Sequence, residues 1–158
     1  MAIELSENIK LLLRDAATVK VFATTDPTGE VHVVFKDYIS VDEEGRLYVL
    51  ELLESSQTNR NLVHSLWSNR KVSVGLRGKN NESYEIKALP RQCIITGPVF
   101  ELYYCFVRDN LGDFDLAAVW FLNPEEVRNE TLEVRYEEET KAHPLFLHLD
   151  RIAKVTPS

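Results

Sequence analysis

Cysteine is nearly absent from this chain: Cys93 and Cys105 are the only two in 158 residues. Two thiols cannot build a disulfide framework or a thiolate-rich metal site, and the apolar neighbours of both imply buried free thiols. Long apolar runs are missing as well. No stretch approaches the roughly 18 apolar residues of a membrane-crossing helix. Near the start, Glu4 and Glu7 stand where a secretory leader would be basic. Both absences point to a cytoplasmic protein with no membrane partner. Positive charge is in short supply, with 18 Lys and Arg against 25 Asp and Glu and a net charge of -7. That balance argues against a nucleic-acid partner, which wants a basic surface. The four histidines, His32, His64, His143 and His148, form no pair at helical spacing, so no zinc site is expected. Glycine is sparse, and neither a nucleophile elbow nor a Gly-rich phosphate loop occurs.

What the chain does contain is alternation and turns. Ser6 caps a short helix to about Arg14, with Ile9, Leu12 and Leu13 on one face. Val19 to Thr25 reads as a strand. Asp26-Pro27-Thr28-Gly29 is a turn in which Pro27 presets φ and Gly29 tolerates φ > 0. Glu30 to Val41 reads as one long strand, Asp42 to Gly45 as a tight turn and Arg46 to Leu52 as a third strand. Thr58 to Ser68 carries Leu62, Leu66 and Trp67 at helical spacing. Lys71 to Arg77 and Tyr84 to Thr96 are further strands, the second bulged at Pro90 because proline cannot donate to a ladder. Gly97-Pro98 opens a helix with Val99, Leu102, Tyr103, Phe106 and Val107 along one stripe. Leu116 to Leu122 is a strand that Asn123-Pro124 is expected to end. The final third is harder to place: Thr131 to Tyr136 is a candidate strand, Glu137 to Glu139 reads as a solvated face, and Pro144 to Ile152 is apolar enough to pack. Strand-rich chains with hairpin connections close into sandwiches or barrels.

One segment concentrates polar chemistry: Ser55-Ser56-Gln57-Thr58-Asn59-Arg60-Asn61-Leu62. Hydroxyls, amides and one guanidinium fall where a strand gives way to a helix start. Unpaired N–H groups and the positive dipole end there suit a phosphate. The same residues suit plain N-capping beside a polar loop equally well.

Several blocks, in order, resemble the pyridoxamine 5'-phosphate oxidase-like FMN-binding split barrels, including the short FMN-binding proteins. They are Val21 to Thr25 with Glu30 to Val34, Gly45 to Val49, Thr58-Asn59-Arg60-Asn61-Leu62, Asn69 to Val74, Tyr84 to Lys87, and Thr96-Gly97-Pro98. The match spans roughly residues 5 to 128. The resemblance implies a mainly β fold with peripheral helices, a six-stranded antiparallel split β-barrel of Greek-key type. It implies a single domain over 1–158, with a C-terminal extension from about 129.

The resemblance further implies FMN as cofactor and FMN-dependent oxidoreductase or electron-transfer chemistry, with no acid, base or nucleophile singled out. The phosphate would meet Ser56, Gln57, Thr58, Arg60 and Asn61. The ring would lie near Val34, Phe35 and Lys36 on one side and Val49, Leu50 and Glu51 on the other, with Lys36 placing positive charge beside it. Many members carry Lys or Arg where this chain has Gln57, so Arg60 supplies the nearest compensating charge. Specific oxidation of pyridoxamine phosphate is not implied, because nothing near Glu137 to Glu139 matches the family's residues for the substrate phosphate. A homodimer with FMN between the subunits is implied, and the apolar run Leu116 to Leu122 is the surface expected to serve it. A flavin-free split-barrel binding module, and a relative using deazaflavin or haem, stand as alternatives.

Overall fold

A computed structural model describes residues 2–144. The chain runs α1 (Glu7–Arg14), β1 (Val19–Thr25), β2 (Val31–Phe35), β3 (Ile39–Val41), β4 (Leu47–Glu51), α2 (Gln57–Ser68), β5 (Val72–Arg77), β6 (Ser83–Ile94), α3 (Pro98–Leu111), β7 (Ala118–Asn129) and α4 (Leu132–Ala142). All seven strands form one antiparallel sheet in the order β2-β1-β5-β6-β7-β4-β3. Its two edge strands, β2 and β3, are consecutive in the chain. The sheet therefore curls until its edges meet at a corner, as a half-barrel that no β2–β3 ladder closes among the described residues.

The expected six strands are seven because Glu30 to Val41 is not one strand. It breaks at residues 36–38, and a buried lysine fixes the break. Lys20 Nζ donates to the carbonyls of Leu13 (2.6 Å), Ile39 (2.7 Å) and Asp37 (3.4 Å). The first lies in the last turn of α1, the other two at the corner and the start of β3. Lys36 N still donates to Lys20 O, holding the chain to β1, while Leu50 N donates to Tyr38 O and transfers it to β4. Within three residues the chain exchanges one edge of the sheet for the other.

Alternation along the strands builds two cores. Inside the curl, Phe22, Val74, Leu76, Ile86, Trp120 and Leu122 pack on Leu5, Ile9 and Leu13 of the N-terminal segment and on Leu62 of α2. Outside it, Val119 and Phe121 of β7 and Leu50 of β4 pack under α3 through Val107, Tyr103 and Tyr104. The helix at Gly97-Pro98 forms as the sequence indicates, with Pro98 in its first turn, where the missing N–H costs nothing. Both faces of Leu116 to Leu122 are therefore buried within one chain, and that run offers no surface for a second subunit.

Three further expectations are corrected. β7 does not stop at Asn123-Pro124 but continues to Asn129. In an antiparallel strand the N and O of one residue point to the same edge, and Pro124 O accepts from Ile3 N at 2.8 Å. The missing donor of Pro124 thus faces away from β6, and that ladder persists. Thr131 to Tyr136 is helical: Glu, Arg and Lys favour α4, and Arg135–Glu138 and Glu137–Lys141 are pairs at helical spacing. The Thr131 hydroxyl bonds Ser83 N and O rather than continuing a strand. Cys105 is exposed on α3 and Cys93 half-buried on β6; both are free thiols, but Cys105 is not a core residue. Pro90 sits at an irregularity of the β6–β7 register, as its chemistry demands. Glu137 to Glu139 are exposed, and the apolar stretch from 145 onward lies outside the described residues. No helix among them is long and apolar enough to cross a membrane.

Replacing Lys20 by Met takes the ammonium donor from Ile39 O, Asp37 O and Leu13 O, of which Leu13 O keeps only the Ser40 hydroxyl at 3.2 Å. The variant is expected to lose about 2–4 kcal/mol of unfolding free energy in urea titrations. Burial pushes the Lys20 ammonium below its ordinary pKa of 10.5. Its contribution is therefore complete above pH 10.5 and shrinks as the pH falls through the lowered folded value. The wild-type stability should rise with pH across that alkaline window, and the Lys20→Met variant should lose this part of the slope.

Candidate functional site

The polar segment between β4 and α2 is built by side chains that bond back to the backbone. Glu51 ends β4, and its Oε1 accepts from Leu53 N at 3.1 Å. Ser56 N donates to Leu53 O, closing the turn. The Ser56 hydroxyl then caps α2 by accepting from Asn59 N at 3.0 Å. Asn59 turns inward, where its Oδ1 accepts the indole N–H of the fully buried Trp120 at 2.9 Å. These bonds fix the helix start rigidly over one end of the curled sheet.

Around that start the expected phosphate residues do come together. Gln57 Nε2 donates to Asn61 Oδ1 at 2.8 Å, and Asn61 Nδ2 donates to Thr24 Oγ1 at 3.0 Å. Thr58 and Asn61 are buried; Gln57 and Arg60 are exposed. The backbone N–H groups of Gln57 and Thr58 have no acceptor among the described residues, as befits the first turn of a helix. Beside them lies a hollow of about 180 Å³ lined by Asp26, Glu30, Val31, His32, Gln57 and Asn61.

Thr24, Asp26, Glu30 and His32 are residues that sequence reasoning missed. The signal for them was the Asp26-Pro27-Thr28-Gly29 turn, whose role extends beyond reversing the chain. The carboxylate of Asp26 accepts from the Thr28 hydroxyl, Thr28 N and Glu30 N, and these bonds lower its pKa, the Thr28 hydroxyl most. It therefore stays ionised and gives the hollow a negative wall opposite the amides.

The residues expected along a ring are distributed differently. Lys36 and Glu51 meet: Nζ and Oε2 are 2.5 Å apart, with the Glu51 side chain only 2% and the Lys36 side chain 16% exposed. Lys36 is thus a paired cation and not a free one. Val49 and Leu50 are buried in the inner and outer cores respectively, so only their backbone is available to a ligand. Val34 packs on the inner core, while Phe35 points the opposite way and is 77% exposed.

Phe35 belongs to a larger feature. Val31, Val33 and Phe35 of β2 and Val19 of β1 are all exposed on the outer face of the sheet. Val21, Ala23 and Gly75 continue this face, and a hollow of about 570 Å³ opens over it. These side chains leave an apolar face in solvent along the edge strand β2 and its neighbour β1.

No protein-family model and no curated protein matches the sequence. Solved structures do. A Group A Streptococcus HupZ structure matches with a TM-score of 0.66 at 16% identity, covering 81% of this chain and 95% of that one. A candidate pyridoxamine 5'-phosphate oxidase from Lactobacillus delbrueckii matches with a TM-score of 0.60 at 21% identity, over 79% of this chain and 93% of the other. An FMN-binding protein from Syntrophomonas wolfei gives a TM-score of 0.60 at 13% identity, over 78% and 84%. Identities this low speak to architecture alone: the curled antiparallel sheet with its peripheral helices shares its fold with these structures.

Proposed function

We propose that this protein binds FMN, with the phosphate at the start of α2, and works as a flavin-dependent oxidoreductase or electron-transfer protein of the cytoplasm. The observation that carries the reading is the unspent donor set at that helix start. The backbone N–H groups of Gln57 and Thr58 and the Thr58 hydroxyl lie in the first turn of α2, where the dipole is positive, and the second N–H of the Gln57 amide is left over from its bond to Asn61. This set fits a phosphate in hydrogen-bonding capacity. Asp26 and Glu30 line the hollow, so positive charge must reach the phosphate from outside the lining, from Arg60 of α2 or from Arg70, whose Nη1 donates to Asp26 O at 3.2 Å. Bound flavin would supply the redox chemistry, and the chain would orient it and set its electrostatic surroundings.

One observation favours a second reading, a split-barrel module without flavin: two carboxylates and no lysine line the hollow at Gln57. The two readings part on ligand-dependent stability. A ligand that binds only the folded state must raise its melting temperature. FMN is expected to do so, and the purified protein to be yellow. A colourless protein whose melting is indifferent to FMN would leave the flavin-free module.

For the phosphate, Thr58→Ala should weaken FMN binding by about 1.5–3 kcal/mol, on the order of tenfold to a hundredfold. Riboflavin, lacking the phosphate, should bind wild type and variant alike. If Thr58 serves only the helix, the variant loses stability and its FMN affinity stays as it was.

The proposal includes a homodimer with FMN between the subunits. Its pairing surface is the outer apolar face of β2 and β1, not Leu116 to Leu122. Two-fold pairing would bury Val31, Val33 and Phe35 against their own copies. Phe35→Glu puts a charge on that face and should yield a monomer by light scattering with little change in melting temperature. A dimer that survives this change pairs elsewhere.

A further inference from the structure

The two edges of the sheet differ. The β3 edge is met by α1: Lys20 Nζ joins Ile39 O to Leu13 O, and the Ser40 hydroxyl donates to the same Leu13 O. The β2 edge is bare among the described residues. Lys36 N donates to Lys20 O and Asp26 N to Glu30 O, so the even-numbered residues of β2 are the ones that bond β1. The N–H and C=O groups of Val31, Val33 and Phe35 point outward instead. Their side chains are exposed too. A bare edge with apolar side chains is a template for one more strand.

The chain carries such a strand. α4 ends at His143, whose φ of -136° and ψ of 60° leave the helical region, and Pro144 follows. Next comes Leu145-Phe146-Leu147-His148-Leu149, with a leucine at every second position and no Asp, Glu, Lys or Arg before Asp150. Its length matches the five residues of β2.

We propose that residues 145–149 add to the β2 edge as an eighth strand. β7 leaves the sheet at the end where Phe35 lies, held there by Glu130 N on Ser83 O, so a chain entering from that end runs antiparallel to β2. Leu145, Leu147 and Leu149 then stand opposite Phe35, Val33 and Val31 as apolar cross-strand pairs. Phe146 and His148 stand opposite Val34 and His32 on the other face. The reach is sufficient. Five strand spacings separate β7 from the new position, roughly 24 Å. The 11 residues of α4 span about 16 Å, and Thr131, His143 and Pro144, when extended, about 10 Å more. The proposal does not draw on the FMN reading.

Site-resolved amide hydrogen exchange on the full chain tests it. The Val31, Val33 and Phe35 amides should exchange on the order of a hundredfold slower than in an unfolded chain. In a chain ending at Pro144 these three should become fast. His32 and Val34, bonded to β1, should stay protected and report that the sheet is folded. Adding a peptide of residues 144–152 should slow the three amides again. If the shortened chain fails to fold, full-length Leu147→Pro keeps the test: it removes an N–H that faces β2, and the same three amides should speed up.

Fast exchange at Val31, Val33 and Phe35 in the full chain overturns the proposal, including the case in which residues 145–149 lie on the face as a helix. Protection that survives the loss of residues 145–158 overturns it as well; where that protection rises with protein concentration, two copies pair their β2 edges. Neither result touches FMN binding.

Discussion

The ammonium of Lys20 occupies a point on the inner face of β1 where an apolar side chain would be expected, and its partners are three carbonyls from three different places. Leu13 O closes the last turn of α1, Asp37 O lies in the corner and Ile39 O opens β3. A buried charge of this kind is tolerable only when its donors are spent, and here the spending determines the geometry. Without that cluster of acceptors held together, residues 31–41 have every reason to run on as one strand beside β1. With it, the chain turns at residues 36–38 and pairs with β4 instead. The curl of the sheet, the seat of α1 inside it and the meeting of Lys36 with Glu51 all follow from this one bend.

The curl divides the apolar residues between two cores, and that division explains what is left exposed. β7 is buried on both faces because α3 covers the outer one, so its continuous apolar run serves one chain. β1 and β2 are buried on the inner face only. Their outer valines and Phe35 remain in solvent, on an edge strand with unpaired backbone. The same alternation that fills the half-barrel therefore leaves this apolar face exposed.

Polar residues in the site carry two duties. Ser56, Asn59 and Asn61 are spent on capping, on Trp120 and on Thr24, which makes the helix start rigid before any ligand arrives. What remains available is mostly backbone N–H and the Thr58 hydroxyl. The site thus offers direction more than charge, and the carboxylates of Asp26 and Glu30 sharpen the contrast.

The sequence by itself determined the elements that rest on local chemistry. Ser6 and Ser56 cap helices, Pro98 starts one, Asp26 to Gly29 and Asp42 to Gly45 turn the chain, and the strands from Val19 and Val72 alternate as written. The polar segment from Ser56 to Asn61 was legible for the same reason: capping and dipole chemistry act within one helical turn. Tertiary structure alone decided the rest. The break at residues 36–38 depends on Lys20, sixteen residues or more away in sequence, and nothing within Glu30 to Val41 announces it. The continuation of β7 through Pro124 depends on which edge of the strand faces β6. The neutralisation of Lys36 depends on Glu51, brought to it across a seam that no ladder joins. In each case the deciding partner is distant along the chain and acts through a hydrogen bond or a charge, and such interactions leave no periodicity in the sequence to read.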